Sequence, residues 1–281
     1  MTGSTASHDA AGGAVPILMY HALSAASTAA FRRWTLAPDR FEAHLAYLSQ
    51  SGYRTVTVAG LLAHRQGGGS APAGRLIALT FDDAYADFHS VALPLLIRYG
   101  MTATLFVPTG HVGRHSGWMR HEGEGDRPIL SWAALAEIAG CGIEIGTHSH
   151  THPELDRVGD GEISGEVRRP KALVEDRLGV VVRSFAYPYG HYDRRVRDVV
   201  GAAGYGSACT MNSWAATAGD HALELPRTAV FDDTDAASLA ARLAAGHSSA
   251  RRAALRVRRS AGMPARHWRT RIGGGVRGGT Q

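Results

Sequence analysis

Cysteine is scarce in this chain. Its 281 residues hold only Cys141 and Cys209, and neither belongs to a CxxC pair. A disulfide framework or a zinc ribbon is therefore not expected, while a single bridge between the two stays open. Long apolar runs are missing as well, since no stretch approaches the ~18 residues that a membrane-spanning helix needs. The N-terminal MTGSTASHDAAGGA has neither a basic start nor an apolar centre. No signal peptide is read there, and the sequence as written predicts a cytoplasmic protein, an expectation that a longer N-terminus would change. Internal repeats are absent, and no GxGxxG follows the first apolar run, which argues against a doubly wound dinucleotide-binding sheet.

Acidic side chains are missing from one region. Between Gly246 and Gln281 there are nine arginines, no lysine, and no Asp or Glu. Those nine, taken from 30 basic residues, leave 21 against 25 acidic ones elsewhere, so the net charge of +5 hides a mildly acidic body with a basic tail. Composition reads the tail as a disordered extension. The sharper alternative is surface contact with an acidic polymer or a membrane. Trp268 is its single aromatic residue, which gives specific nucleic-acid recognition no stacking platform. The chain thus divides into a flexible 1–14, a folded domain over 15–245 and the Arg-rich 246–281, with a monomer expected.

What is present is an alternation of strand and helix patterns. Short apolar runs at 16–20, 54–58, 76–81, 102–107, 143–146 and 184–187 read as buried strands, with weaker ones at 206–210 and 225–230. Between them, Phe41, Leu45 and Leu48 form a helical stripe opened by Pro38 and closed by Gly52. Further helices are read at 90–99, at 132–139 with Ser131 as N-cap, at 196–203 and at 236–245. Ile163, Val167, Val174 and Leu178 share one more helical face, which Pro170 should kink or interrupt. Seven or eight such units suit an α/β barrel with a mainly parallel sheet. The stretches 66–74 and 109–128 read as insertions, the second long enough to suspect a part in the site.

The polar residues of interest sit where strands end, at the mouth where barrels collect their chemistry. One strand runs into Asp82 and Asp83, another into His148, Ser149, His150, Thr151 and His152, a third into Pro188, Tyr189 and Gly190, and the first into His21. His148 and His152 are four apart, so one helical turn would place both imidazoles on the same face. With one carboxylate they form a set that suits catalytic zinc, cobalt or nickel being alternatives. His150, two residues from each, would point elsewhere. Adjacent carboxylates on a strand alternate in direction, so one of Asp82 and Asp83 can bind metal while the other faces the substrate water as a base.

These residues carry a resemblance. Thr80-Phe81-Asp82-Asp83 resembles motif one of the polysaccharide deacetylases, the NodB-homology group of carbohydrate esterase family 4. His148-Ser149-His150-Thr151-His152-Pro153 is similar to their metal-binding motif two, and Phe185-Ala186-Tyr187-Pro188-Tyr189-Gly190 to motif three. The resemblance covers roughly 15–230 and implies a distorted (β/α) barrel of about seven strands that deacetylates N-acetylglucosamine polymers or, less often, O-acetylated sugars. It implies Asp82 as catalytic base, Asp83, His148 and His152 as ligands of one divalent metal, and the Tyr189 backbone N–H as an oxyanion donor.

Two departures stand out. The motif-three arginine that supports the base is Ala186 here, and Leu225-Pro226-Arg227 stands where the motif-five histidine is usual. A branch acting on poly-N-acetylglucosamine is similar to a circular permutation, with its acid histidine near the N-terminus after an aromatic residue. Ile17-Leu18-Met19-Tyr20-His21 matches that arrangement, which makes His21 the candidate acid. Arg227 is the candidate to replace the missing arginine beside Asp82, and Ser213-Trp214 looks like a degenerate motif four whose Trp214 would wall the substrate groove. The expected function is metal-dependent N-deacetylation of an acetylated carbohydrate. The alternatives are an O-acetyl esterase on the same scaffold and a sugar-binding pseudoenzyme.

Overall fold

The computed structural model describes residues 14–67, 74–211, 216–217 and 219–246. Trp214, residues 68–73 and the Arg-rich tail beyond 246 lie outside them.

The strands are β1 (Ile17–Tyr20), β2 (Ala22–Leu23), β3 (Thr35–Leu36), β4 (Tyr53–Val56), β5 (Arg75–Phe81), β6 (Thr104–Val107), β7 (Glu144–Thr147), β8 (Ser184–Ala186), β9 (Ser207–Cys209) and β10 (Thr228–Ala229). The helices are α1 (Pro38–Gln50), α2 (Val58–Arg65), α3 (Leu93–Arg98), α4 (Trp132–Gly140), α5 (Asp160–Leu178), α6 (Arg194–Ala202) and α7 (Ala236–Gly246). One parallel sheet runs in the order β10-β1-β5-β6-β7-β8-β9, and β4 lies beside the first half of β5. The segment leading into β10 spans the two outer strands, because Leu225 pairs with Cys209 and Thr228 with Leu18. The sheet therefore curls into a distorted barrel, and a parallel sheet covered on both faces accounts for strands such as β1 and β6 that are buried along their whole length.

Period-two alternation then sorts the side chains. Leu18, Tyr20, Leu79, Phe81, Leu105 and Ile145 face the helices, where α1, α3, α4 and α5 cover them. Ile17, Ala78, Phe106, Ala186, Cys209 and Leu225 face inward and form a second apolar cluster, joined by Val58 and Leu61 of α2. Helix α2 thus plugs the bottom of the barrel. The Thr57 side chain caps it by accepting from Gly60 N–H. Its first amides reach inward, Val58 N–H to Thr104 Oγ1 (2.9 Å) and Ala59 N–H to Glu144 Oε2 (3.1 Å). The same inward rows, four residues further along from Ile17, Ala78 and Glu144, become His21, Asp82 and His148 at the other end.

Sequence reading missed α2, assigning Val58 to the preceding strand; a short helix holding Gly60 shows little periodicity. It also missed β2 and β3, which are two residues each. Pro170 does not interrupt α5, which runs unbroken from Asp160 to Leu178. Pro170 lies on the buried face with Ile163, Val167 and Val174, and burial of that stripe holds the helix across the missing N–H bond. Both cysteines are free, Cys141 exposed and Cys209 buried. Among the described residues no helix is long and apolar enough to cross a membrane.

Candidate active site

Asp82 continues the inward row Ala78, Thr80 of β5 and emerges at the barrel mouth. The next two residues take left-handed backbone conformations, Asp83 at φ 72° and Ala84 at φ 53°, a strain that persists only where surrounding structure fixes it. This turn ends the strand alternation. Both carboxylates consequently reach the same cavity of about 270 Å³, where the alternation rule alone would send them apart. Their partners still differ.

Asp82 is buried and gripped by Arg227. Nη1 donates to Oδ1 at 2.7 Å and Nη2 to Oδ2 at 2.8 Å, a two-pronged pair of the strong kind. Arg227 is itself held by Nε donating to the Thr210 carbonyl and Nη1 to Thr80 Oγ1. It reaches this position because it lies on the segment that closes the barrel between β9 and β1. Burial alone would push the Asp82 pKa up; Arg227 and then His148 outweigh it, so the carboxyl is held below its ordinary range. Ala186 leaves the inward position on β8 empty of charge, and Arg227 enters from the other side of Asp82's strand.

His148 follows β7 inward. Its Nδ1–H donates to the Ala186 carbonyl at 2.8 Å, which fixes the tautomer and leaves the Nε2 lone pair facing Asp83 Oδ1 at 3.7 Å and Asp82 Oδ2 at 3.9 Å. Burial lowers its pKa to about 4 against the pull of Asp82, so the ring is neutral near pH 7. His152 is brought alongside by a tight loop, and not by the helical turn that the i, i+4 spacing predicts. Ser149 (φ 60°) and His152 (φ 65°) are both left-handed, and Ser149 Oγ accepts from His152 N–H at 2.9 Å. His152 Nε2 lies 3.2 Å from Asp83 Oδ1, and among the described residues that oxygen is buried with no further hydrogen-bond partner. Burial opposes the Asp83 charge, but His152 and His148 hold its carboxyl well below the usual range.

These observations fit a divalent cation. Asp83, His148 and His152 each offer one ligand atom, and the three atoms lie within 4.8 Å of one another. An orphaned carboxylate oxygen, an imidazole nitrogen stripped of its proton and a second imidazole converge on one point, the donor set of a catalytic metal site with positions left open. A second group, Glu154, Asp156 and His191, also clusters. There Glu154 is already paired with Arg157 at 2.8 Å.

His21 ends the inward row Ile17, Met19 of β1. Its Nε2 stands 4.0 Å from Asp82 Oδ2, its ring packs on Trp34 at 4.7 Å, and its Nδ1 is buried with no hydrogen-bond partner among the described residues. Tyr189 sits in the turn after β8 at φ 57° and sets its ring against His152 at 4.7 Å. The structure therefore brings His21, Asp82, Asp83, His148, His152, Tyr189 and Arg227 to one cavity; Trp214 is outside the described residues. Sequence reasoning missed two further walls, Trp34 and Trp118. Trp118 stacks on His152 (4.9 Å, 25° between planes), and the length of the 109–128 segment carrying it was the available signal.

Comparison with known proteins follows the same line. Residues 69–208 match the family described as polysaccharide deacetylase; this stretch contains Asp82, Asp83, His148, His152 and Tyr189 and leaves out His21 and Arg227. The YxkH protein of Bacillus subtilis is 29% identical over 205 residues, covering 72% of this chain and 66% of that protein. The chain thus spans just under two thirds of that relative's length. A poly-beta-1,6-N-acetyl-D-glucosamine N-deacetylase of Staphylococcus aureus is 22% identical over 216 residues, covering 74% of this chain and 71% of its own. Among solved structures, the Streptococcus pyogenes deacetylase PplD in complex with acetate has a TM-score of 0.71 at 25% identity, covering 82% of this chain and 98% of that one. IcaB from Ammonifex degensii has the same score and identity, with coverage of 82% and 97%.

Proposed function

The chain belongs to the polysaccharide deacetylase family, and from that premise we propose that it hydrolyses N-acetyl groups on N-acetylglucosamine-type sugars or polysaccharides. One observation carries the reading: a carboxylate locked by Arg227 and a separate three-donor set meet at one mouth.

In this reading Asp82 is the base. Arg227 keeps it ionised and oriented, and it takes a proton from the attacking water. A divalent cation on Asp83, His148 and His152, zinc first with cobalt or nickel as alternatives, would supply Lewis acidity toward the acetyl carbonyl and acidify water near it. The Tyr189 N–H serves as a donor toward the charge that develops on the carbonyl oxygen. As the C–N bond breaks, its electron pair stays on nitrogen, which takes a proton from His21. The products are acetate and a free amino sugar. Trp34, Trp118 and Tyr189 supply aromatic walls of the kind that take the faces of a sugar ring. Base and acid must hold opposite protonation states, so kcat/KM should follow a bell-shaped pH profile.

The test is acetate release from short N-acetylglucosamine oligomers by metal-loaded protein. Asp82→Asn and His21→Ala should each lower kcat by about 10²–10⁴. A wild type that binds metal and yet frees no acetate from N-acetyl or O-acetyl sugars would sink the enzyme reading in favour of a sugar-binding protein. One observation favours a second reading. Burial holds the His21 pKa below its ordinary value against the pull of Asp82 and Asp83, and an alkoxide leaves with less help from an acid than an amine does. Activity on O-acetylated sugars that survives His21→Ala would select the esterase.

A further inference from the structure

We propose that Glu166 of α5 is a positioning residue for the metal loop, holding His152 in place and thereby setting metal affinity. The proposal rests on the metal reading above.

The loop from His148 to His152 carries two of the three ligands and two left-handed non-glycine residues. Such a path survives only where neighbouring groups hold it. It also turns successive N–H groups away from the sheet ladder, where each needs an acceptor. Glu166 supplies it. The N–H groups of His150 and Thr151 both donate to Oε2, each at 2.8 Å, and the Thr151 hydroxyl donates to Oε1 at 2.7 Å. Among the described residues its hydrogen bonds all go to this loop.

The carboxylate is itself well placed to act as an anchor. One residue on, the Val167 carbonyl accepts from Tyr205 OH at 3.0 Å, and that hydroxyl also meets Thr147 Oγ1 at 2.7 Å. Thr147 immediately precedes His148, so α5 is tied to β7 at the point where the first ligand begins. Val167 is fully buried, as is Ile163 one turn before Glu166. Other contacts that hold the loop involve no carboxylate: Ser149 Oγ with His152 N–H, Gly110 N–H with the His150 carbonyl, Thr109 N–H with the Ser149 carbonyl, Thr109 Oγ1 with His150 Nδ1, and His111 Nε2 with the Thr151 carbonyl. His150, which the ligand spacing leaves over, is thus a part of the clamp. Among the described residues Glu166 forms no hydrogen bond or ion pair with either ligand ring, and its charge-assisted bonds act on His152 through the backbone.

Groups that orient metal ligands from outside typically govern affinity by about tenfold to a hundredfold. The experiment measures the zinc dissociation constant of metal-free protein by competition with a chromophoric chelator, beside the melting temperature with and without zinc. Glu166→Ala should weaken zinc binding by about 10–100-fold and shrink the rise in melting temperature that zinc gives. Glu166→Gln should fall between wild type and the Ala variant, nearer to wild type, because one amide oxygen can accept both backbone N–H groups and the Thr151 hydroxyl can turn to accept from the amide, while the charge is lost. If Glu166→Ala does not fold, Glu166→Asp, one methylene short of the loop, replaces it as the variant that loses affinity. Equal zinc affinity in wild type and the Ala or Asp variant overturns the proposal. So does an equal loss in Gln and Ala that tracks a lower melting temperature of the metal-free protein. A wild type that binds no zinc would instead remove the metal reading itself.

Discussion

At the scale of single residues the Asp82–Arg227 pair decides most. Both partners are buried, and removing one partner of a buried pair strands the other charge at a cost of about 3–5 kcal/mol. Arg227→Ala should therefore lower stability by about that amount, read from denaturant melts, and should reduce kcat far more than it changes KM. Arg227→Lys separates charge from geometry, since a lysine keeps the positive charge and loses the planar fork. It should recover part of the stability and little of the kcat. Full activity in the lysine variant would mean that charge alone suffices. That Arg227 stands beside Asp82 was legible from a departure in the sequence, an alanine where a charge was needed and an arginine left over. That Asp83 turns toward the same cavity was not, because its left-handed backbone is imposed from outside the dipeptide.

At the scale of elements the outcome turns on how loops dock. The 109–128 segment, which brings Trp118 to His152, is tied to the 24–31 loop by Glu124. That carboxylate accepts from Thr28 N–H at 2.6 Å and pairs with Arg127 at 2.8 Å. Asp87, which opens the turn leading into α3, sits behind Arg127 at 3.7 Å, with one buried oxygen that has no hydrogen-bond partner among the described residues. Burial raises its pKa to about 6, against the Leu23 backbone and Arg127. A carboxyl whose folded pKa is raised favours folding below its unfolded pKa of about 4. That contribution is lost as pH rises through about 6. Asp87→Asn should thus gain stability relative to wild type between pH 4 and pH 7.5, on the order of 2 kcal/mol. Denaturant melts of both proteins at the two pH values check it, and a constant difference would show that Asp87 is not raised. The i, i+4 spacing of His148 and His152 reads as a helical turn in sequence; in the structure Ser149, Glu166 and the 109–110 backbone bend it into a loop. No local propensity encodes those distant partners.

At the scale of the whole molecule the barrel's narrow interior is the controlling feature. An added Cβ at Gly146 would come within 2.6 Å of the Phe106 ring and 2.9 Å of the Ser184 carbonyl. Gly146→Ala should accordingly cost about 1–3 kcal/mol through overpacking, seen as a lower melting temperature, and Phe106→Leu in the same chain should restore part of the loss. If the alanine variant melts with wild type, the interior is looser than the geometry implies. The sequence by itself determined the class of fold, the strands that form the barrel and the titratable residues that end them at the mouth. These follow from short apolar runs, period-3.6 patterning and polar residues placed at strand ends, all of which are local. The tertiary structure alone decided the plug formed by α2, the aromatic walls of Trp34 and Trp118, and the loop path between the two histidines. Each of these joins segments far apart in the chain, through burial and hydrogen bonds that exist only once the sheet has curled and its two outer strands have been bridged.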